Sequence, residues 1–124
     1  MQDELKKRIL VVEDDQPLAD VLSLLLESKG FEVHTEIRGT KALVYAADHP
    51  VHLAILDLKL PDISGYEVCR QLRRIYQLWE LPIVMLSALD EPLDQLRGFA
   101  HGADAYLTKP CESAELLKTI NLLI

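Results

Sequence analysis

The stretch Ile9–Gly30, ILVVEDDQPLADVLSLLLESKG, decides the architecture because it changes character partway along. Ile9 to Val12 is apolar and rich in β-branched residues, which reads as a buried strand. From Asp14 onward the pattern is helical. Pro17 suits a first turn, Leu18, Val21, Leu22 and Leu25 share one face, and Gly30 marks the stop. The joint between strand and helix carries three acids in a row, Glu13, Asp14 and Asp15.

The same strand-then-helix alternation runs through the chain. FEVHTE (31–36) alternates apolar and polar residues as an edge strand would. GTKALVYAAD (39–48) is a helix opened by Gly39 or Thr40. Val51–Leu56 is a third strand and Ser64–Ile75 a third helix. Leu81–Leu86 is a fourth strand, and Pro92–Ala100 a helix closed by a turn at Gly102. Ala105–Leu107 is a short fifth strand, and Glu112–Leu123 the last helix. Strict alternation with mostly apolar strands predicts an α/β fold. It is a single doubly wound (βα)5 flavodoxin-like domain, with a five-stranded parallel sheet covered by helices on both faces. The expected strand order is 2-1-3-4-5, with the switch point between the first and third strands.

Composition narrows the function classes. The 124 residues suit one domain, are 49% hydrophobic and 27% charged, and carry a formal net charge of −7. That charge argues against direct nucleic-acid binding by this domain and suits cation binding. No apolar run approaches the roughly 20 residues that span a bilayer. The start lacks a signal-peptide core, so the expected location is cytoplasmic, with no membrane contact. Cys69 and Cys111 have no C-x-x-C spacing and read as reduced structural thiols. His34, His49, His52 and His101 are scattered without metal-ligand spacing and read as structural or exposed; Tyr76 and Trp79 read as packing residues.

Ligands of such sheets bind at the carboxyl ends of the strands, at the switch point. Glu13, Asp14 and Asp15 end the first strand there, and Asp57 ends the third. Ser87 ends the fourth and Lys109 follows the fifth. Carboxylates within ~4–6 Å of one another resist joint ionisation. A hard cation relieves them, and Mg2+ fits because it takes one or two carboxylates and keeps water and phosphate oxygens, with Mn2+ as the alternative ion. A carboxylate beside such an ion and an ammonium is a nucleophile toward phosphorus. The constellation reads as a phosphoryl-accepting aspartate. Asp15 serves equally well as a helix cap.

ILVVEDD, ILDLKLPDISGYEV, PIVMLSA and GADAYLTKP, taken in order, resemble the receiver domain of two-component response regulators, the CheY-like fold family. The resemblance covers residues 1–124 as one receiver domain. It implies that Asp57 is the phosphoacceptor, Asp14 a direct metal ligand, Glu13 an acid holding the metal through water, and the Lys59 backbone carbonyl a further ligand. It also implies that Ser87 turns inward to the phosphoryl group, that Tyr106 is the aromatic switch following it, that Lys109 pairs with the phosphate, and that the peptide before Pro110 is cis. The implied partners are a sensor histidine kinase or histidine phosphotransfer protein as donor and a downstream effector, with a phosphorylation-dependent dimer among the family's states. The fourth helix, fifth strand and fifth helix would form the responsive face. Such a domain catalyses only its own phosphorylation and dephosphorylation and is otherwise no enzyme. The apolar finish NLLI suggests a domain excised from a longer multidomain protein.

Several positions depart from the family's pattern. Lys59 brings a long cation two places after Asp57, where it is expected to hinder an attacking water. Cys111 stands where Phe is common, and Ala105 and Thr119 replace an acid and an arginine that the winged-helix subfamily uses for dimer salt bridges. Among other readings, a dehalogenase-type phosphatase needs an acid at position 59, and a dinucleotide-binding domain needs glycines after the first strand. A pseudo-receiver that is never phosphorylated is opposed by Asp14, Asp57, Ser87 and Lys109.

Overall fold

The structure is a computed structural model that describes residues 6–76 and 80–124. The element order is β1 (Arg8–Val12), α1 (Gln16–Ser28), β2 (Glu32–Glu36), α2 (Gly39–Asp48), β3 (Leu53–Leu56), α3 (Gly65–Ile75), β4 (Ile83–Ser87), α4 (Pro92–Ala100), β5 (Ala105–Thr108) and α5 (Ser113–Leu123). The strands are parallel and ordered β2-β1-β3-β4-β5, the expected flavodoxin-like arrangement.

Alternate residues of each strand point to opposite faces. Leu10, Val12, Ala54, Leu56, Ile83 and Met85 line one face and meet Ala42, Ala46, Val68, Cys69 and Leu72 of α2 and α3. Ile9, Val11, Leu53, Ile55, Val84 and Leu86 line the other and meet Leu22, Leu26, Leu116 and Ile120 of α1 and α5. Both faces of β1, β3 and β4 are therefore covered, which explains their uninterrupted apolar sequence. Truncating one such side chain, Leu56→Ala for example, costs about 2–5 kcal/mol. α4 differs from the other helices. Only Gly98 is buried, while Leu93, Leu96 and Phe99 face solvent.

Several boundaries move from the sequence reading, each for a polar reason. β3 starts at Leu53 rather than Val51 because the Val51 N–H is taken by the Tyr76 hydroxyl at 3.2 Å. β4 starts at Ile83 rather than Leu81, since Pro82 has no N–H to give the ladder. α2 opens at Gly39 as expected, and its N-cap, Arg38, makes no side-chain cap bond. Asp62 closes that end from the β3–α3 loop instead, accepting from Gly39 N–H and Thr40 N–H, both at 2.9 Å, and from the Thr40 hydroxyl at 2.6 Å. Asp15 caps α1 through Leu18 N–H at 3.3 Å.

Two tyrosine and arginine side chains tie loops together at the amino-terminal rim. The Tyr76 hydroxyl also reaches Ala46 O and His49 O, at 3.2 and 3.1 Å. The Arg73 guanidinium donates to Leu81 O and Gly102 O and pairs with Asp104 at 2.9 Å, and the same carboxylate accepts from Ile83 N–H. Trp79 lies outside the described residues. His34 and His49 stack on the two sides of Tyr45, at ring separations of 3.6 and 4.1 Å.

Candidate functional site

The carboxyl rim gathers the residues expected there. The buried ends of β1 and β3 run side by side, and Asp57 N–H donates to Val12 O at 2.9 Å, so Glu13 and Asp57 emerge as neighbours. Asp14 follows and faces solvent. One carboxylate oxygen from each of Glu13, Asp14 and Asp57 lies within 4.8 Å of the others, the only such cluster among the described residues. Glu13 is 2% exposed and Asp57 6%, so two of these charges sit inside the protein.

Lys109 answers both. Its ammonium is 2.7 Å from Glu13 and 3.3 Å from Asp57. The resemblance pairs Lys109 with the phosphate; in the structure the ammonium lies closer to Glu13 than to Asp57. Burial raises the Glu13 pKa to about 7; the Lys109 hydrogen bond pulls it down, and the neighbouring Asp57 pushes it up again. Burial works against the charge of Lys109, yet the two carboxylates outweigh it and hold its pKa above the ordinary lysine value. The donor set is all oxygen, and a carboxylate resisting ionisation at neutral pH is short of positive charge. Both properties fit a hard divalent cation such as Mg2+.

The remaining groups complete the rim. Asp57 Oδ1 accepts from Lys59 N–H at 3.4 Å, which folds the 57–59 backbone around the carboxylate. The Lys59 side chain is exposed and makes no ion pair among the described residues. Ser87 is 1% exposed, and its hydroxyl accepts from Leu89 N–H at 3.2 Å. The Tyr106 hydroxyl donates to Leu89 O at 2.7 Å, so both side chains hold the same loop leading to α4. Lys109 N–H donates to Ser87 O at 2.8 Å, and the Lys109–Pro110 peptide is cis. Across the loop, Gly65 leaves no room for a side chain: an added Cβ would overlap the Asp57 carbonyl oxygen and stand 2.8 Å from Leu58 Cα. A side chain at 65 would push the acid's own backbone aside.

Comparison with known proteins agrees with this geometry. Residues 9–121 match the profile described as "Response regulator receiver domain". The chain is 41% identical over 117 residues to the phosphate regulon transcriptional regulatory protein PhoB of Rhizobium meliloti, covering 94% of this chain and 52% of that protein. It is 38% identical to the DNA-binding dual master transcriptional regulator RpaA of Synechocystis sp., covering 94% and 48%. The chain thus spans about half the length of these curated relatives. Among solved structures, the BeF3-activated N-terminal receiver domain of Klebsiella pneumoniae RstA superposes with a TM-score of 0.88 at 32% identity, covering 94% and 97% of the two chains. A CheY-like receiver domain protein from Methanospirillum hungatei gives 0.90 at 29%, covering 95% and 93%.

Proposed function

The chain belongs to the response regulator receiver domain family, and from that premise we propose that Asp57 accepts a phosphoryl group from a phosphohistidine on a partner protein. The donor would be a sensor histidine kinase or a histidine phosphotransfer protein. One observation carries the reading: Asp57 is buried at the carboxyl end of β3, grouped with Glu13 and Asp14 and paired with Lys109. A solvated surface acid would have none of these neighbours.

A carboxylate oxygen of Asp57 forms the new O–P bond as the donor's N–P bond breaks, and the imidazole leaves with the bonding pair. The receiver supplies position and charge, which is what phosphoryl transfer asks of a protein. Asp14, Asp57 and the Lys59 carbonyl would hold Mg2+, with Glu13 acting through water, and the ion would supply charge neutralisation at the phosphoryl oxygens. Lys109 gives the second positive charge, and the Ser87 hydroxyl a hydrogen bond once it leaves Leu89 N–H. Tyr106, sharing that loop, follows. The change is a population shift that reaches α4, β5 and α5, whose exposed Leu93, Leu96 and Leu122 await an effector. The domain acts as one module of a longer regulator, and the only chemistry it promotes is gain and loss of its own phosphate.

The test is incubation with acetyl phosphate, with and without Mg2+, read by intact mass. Mg2+-dependent addition of one phosphoryl group that vanishes in Asp57→Asn is the expected result. Equal labelling of Asp57→Asn would overturn the assignment.

A further inference from the structure

α4 is held to the rest of the domain at few points, and one of them lies outside the residues assigned so far. Gly98 backs onto Met85 and Tyr106; a Cβ there would come within 2.9 Å of Met85 Sδ and 3.0 Å of the tyrosine ring. The same face also rests on Tyr66, the second residue of α3, which is 8% exposed. Its hydroxyl donates to Asp94 O at 3.1 Å, in the first turn of α4. The Arg97 guanidinium lies over its ring, 4.7 Å from the centroid. His101, which ends the helix, tilts against the same ring at 5.1 Å. One aromatic side chain thus meets α4 at its start, its middle and its end.

Tyr66 is also tied directly to the acid. It follows Gly65, which lies so near the 57–58 backbone that an added Cβ would overlap the Asp57 carbonyl oxygen, and whose N–H donates to Leu58 O at 2.9 Å. The 57–59 segment is thus joined to the residue before Tyr66 by a backbone hydrogen bond, with no room between them for a side chain. The Ser87–Tyr106 side reaches α4 through the Leu89 loop; the Asp57–Gly65 side reaches it through the α3 amino terminus.

We propose that Tyr66 is a positioning residue of the switch, a latch that holds α4 in its resting place and is released by movement of the Asp57 loop. The proposal rests on the phosphoacceptor reading of Asp57 and adds a second route from that acid to α4. A latch of this kind stabilises the resting state only, so removing it raises the fraction of molecules ready for the activated state. A neutral hydrogen bond and an exposed cation–π contact are each worth roughly a two- to five-fold change in such an equilibrium.

Tyr66→Phe deletes the hydroxyl and keeps the ring, while Arg97→Ala removes the guanidinium from the exposed side. Two measurements on both variants decide the matter. Amide hydrogen exchange of the unmodified protein is expected to be about two- to five-fold faster in α4 and unchanged in β3 and β4. Titration with beryllofluoride and Mg2+ is expected to reach half-saturation at about two- to five-fold lower concentration than wild type. A contact that is merely structural would lower the melting temperature and leave half-saturation where it was. Unchanged α4 exchange, or faster exchange with unchanged half-saturation, overturns the latch. A wild type that ignores beryllofluoride, or responds equally as Asp57→Asn, overturns instead the phosphoacceptor reading beneath it.

Discussion

The Lys109 ammonium lies 2.7 Å from Glu13, closer than it comes to Asp57. The lysine is therefore already committed in the resting state, and its nearer partner is an acid whose ionisation burial opposes. Removing it leaves two buried carboxylates without a cation. Lys109→Met is expected to destabilise the metal-free protein by about 1–3 kcal/mol at pH 8, less than for a sealed ion pair because water reaches the site. Urea denaturation in chelator measures this, and addition of Mg2+ should restore most of the loss.

Asp57→Asn should have the opposite sign. Lys109 keeps its nearer partner, while Glu13 loses the repulsion of Asp57. The melting temperature in chelator should rise by about 4 °C, corresponding to roughly 1 kcal/mol. The stabilisation that Mg2+ gives the wild type should shrink at the same time. A lower melting temperature would mean that the Lys109–Asp57 attraction outweighs the crowding of acids.

Glu13 sets a pH dependence. Its pKa is raised to about 7 in the folded protein from the 4.5 of a free glutamate. The folded state then binds the extra proton, so the stability linked to this group is full below pH 4.5 and is lost as pH rises through 7. Metal-free wild type should lose of order 1–3 kcal/mol more than Glu13→Gln between pH 5 and pH 8. Parallel pH profiles for the two proteins would refute the burial of a strained acid.

Under the proposed function, Lys59 is expected to lengthen the life of the phosphorylated state. Its backbone is fixed at Asp57 while its side chain stands free of ion pairs among the described residues, available to screen the site from water. Phosphorylated Lys59→Ala should release phosphate several-fold faster, followed by intact mass over time. An unchanged rate removes the side chain from any timing role.

Asp62 is expected to matter for stability although it is exposed. The Thr40 hydroxyl and the α2 amides hold its pKa well below that of a free aspartate. Asp62→Ala should cost about 1 kcal/mol, the usual worth of an N-cap. A depressed pKa favours the folded state above the unfolded value near 3.8, so this contribution should fade as pH falls below about 4. Thermal melts from pH 3 to 7 test both statements.

The alternation of buried strands and amphipathic helices is a local signal, and the order of the sheet follows from it through chain handedness. The rim residues were legible for the same reason, since each ends or follows a strand in sequence. What could not be read depends on pairs distant in the chain. Asp62 caps a helix that begins 23 positions earlier, and Tyr76 takes the N–H that would have started β3 at Val51. The preference of Lys109 for Glu13 depends on how strands β1, β3 and β5 converge, which no spacing encodes. The contacts of Tyr66 with α4 belong to the same class: a tyrosine at the second position of a helix reads as core until its partners are known.

Arg73 gives the domain a mechanical asymmetry. It binds the chain just before β4 and just before β5, and the carboxyl end of α4 runs directly into that knot. The amino end of α4, by contrast, is joined to the loop that Ser87 and Tyr106 hold. If the loop at the rim moves, a helix held at its carboxyl end by this knot would travel further at Pro92 and Leu93 than at Phe99. Partners that read the state of this domain would sense it best where that travel is greatest.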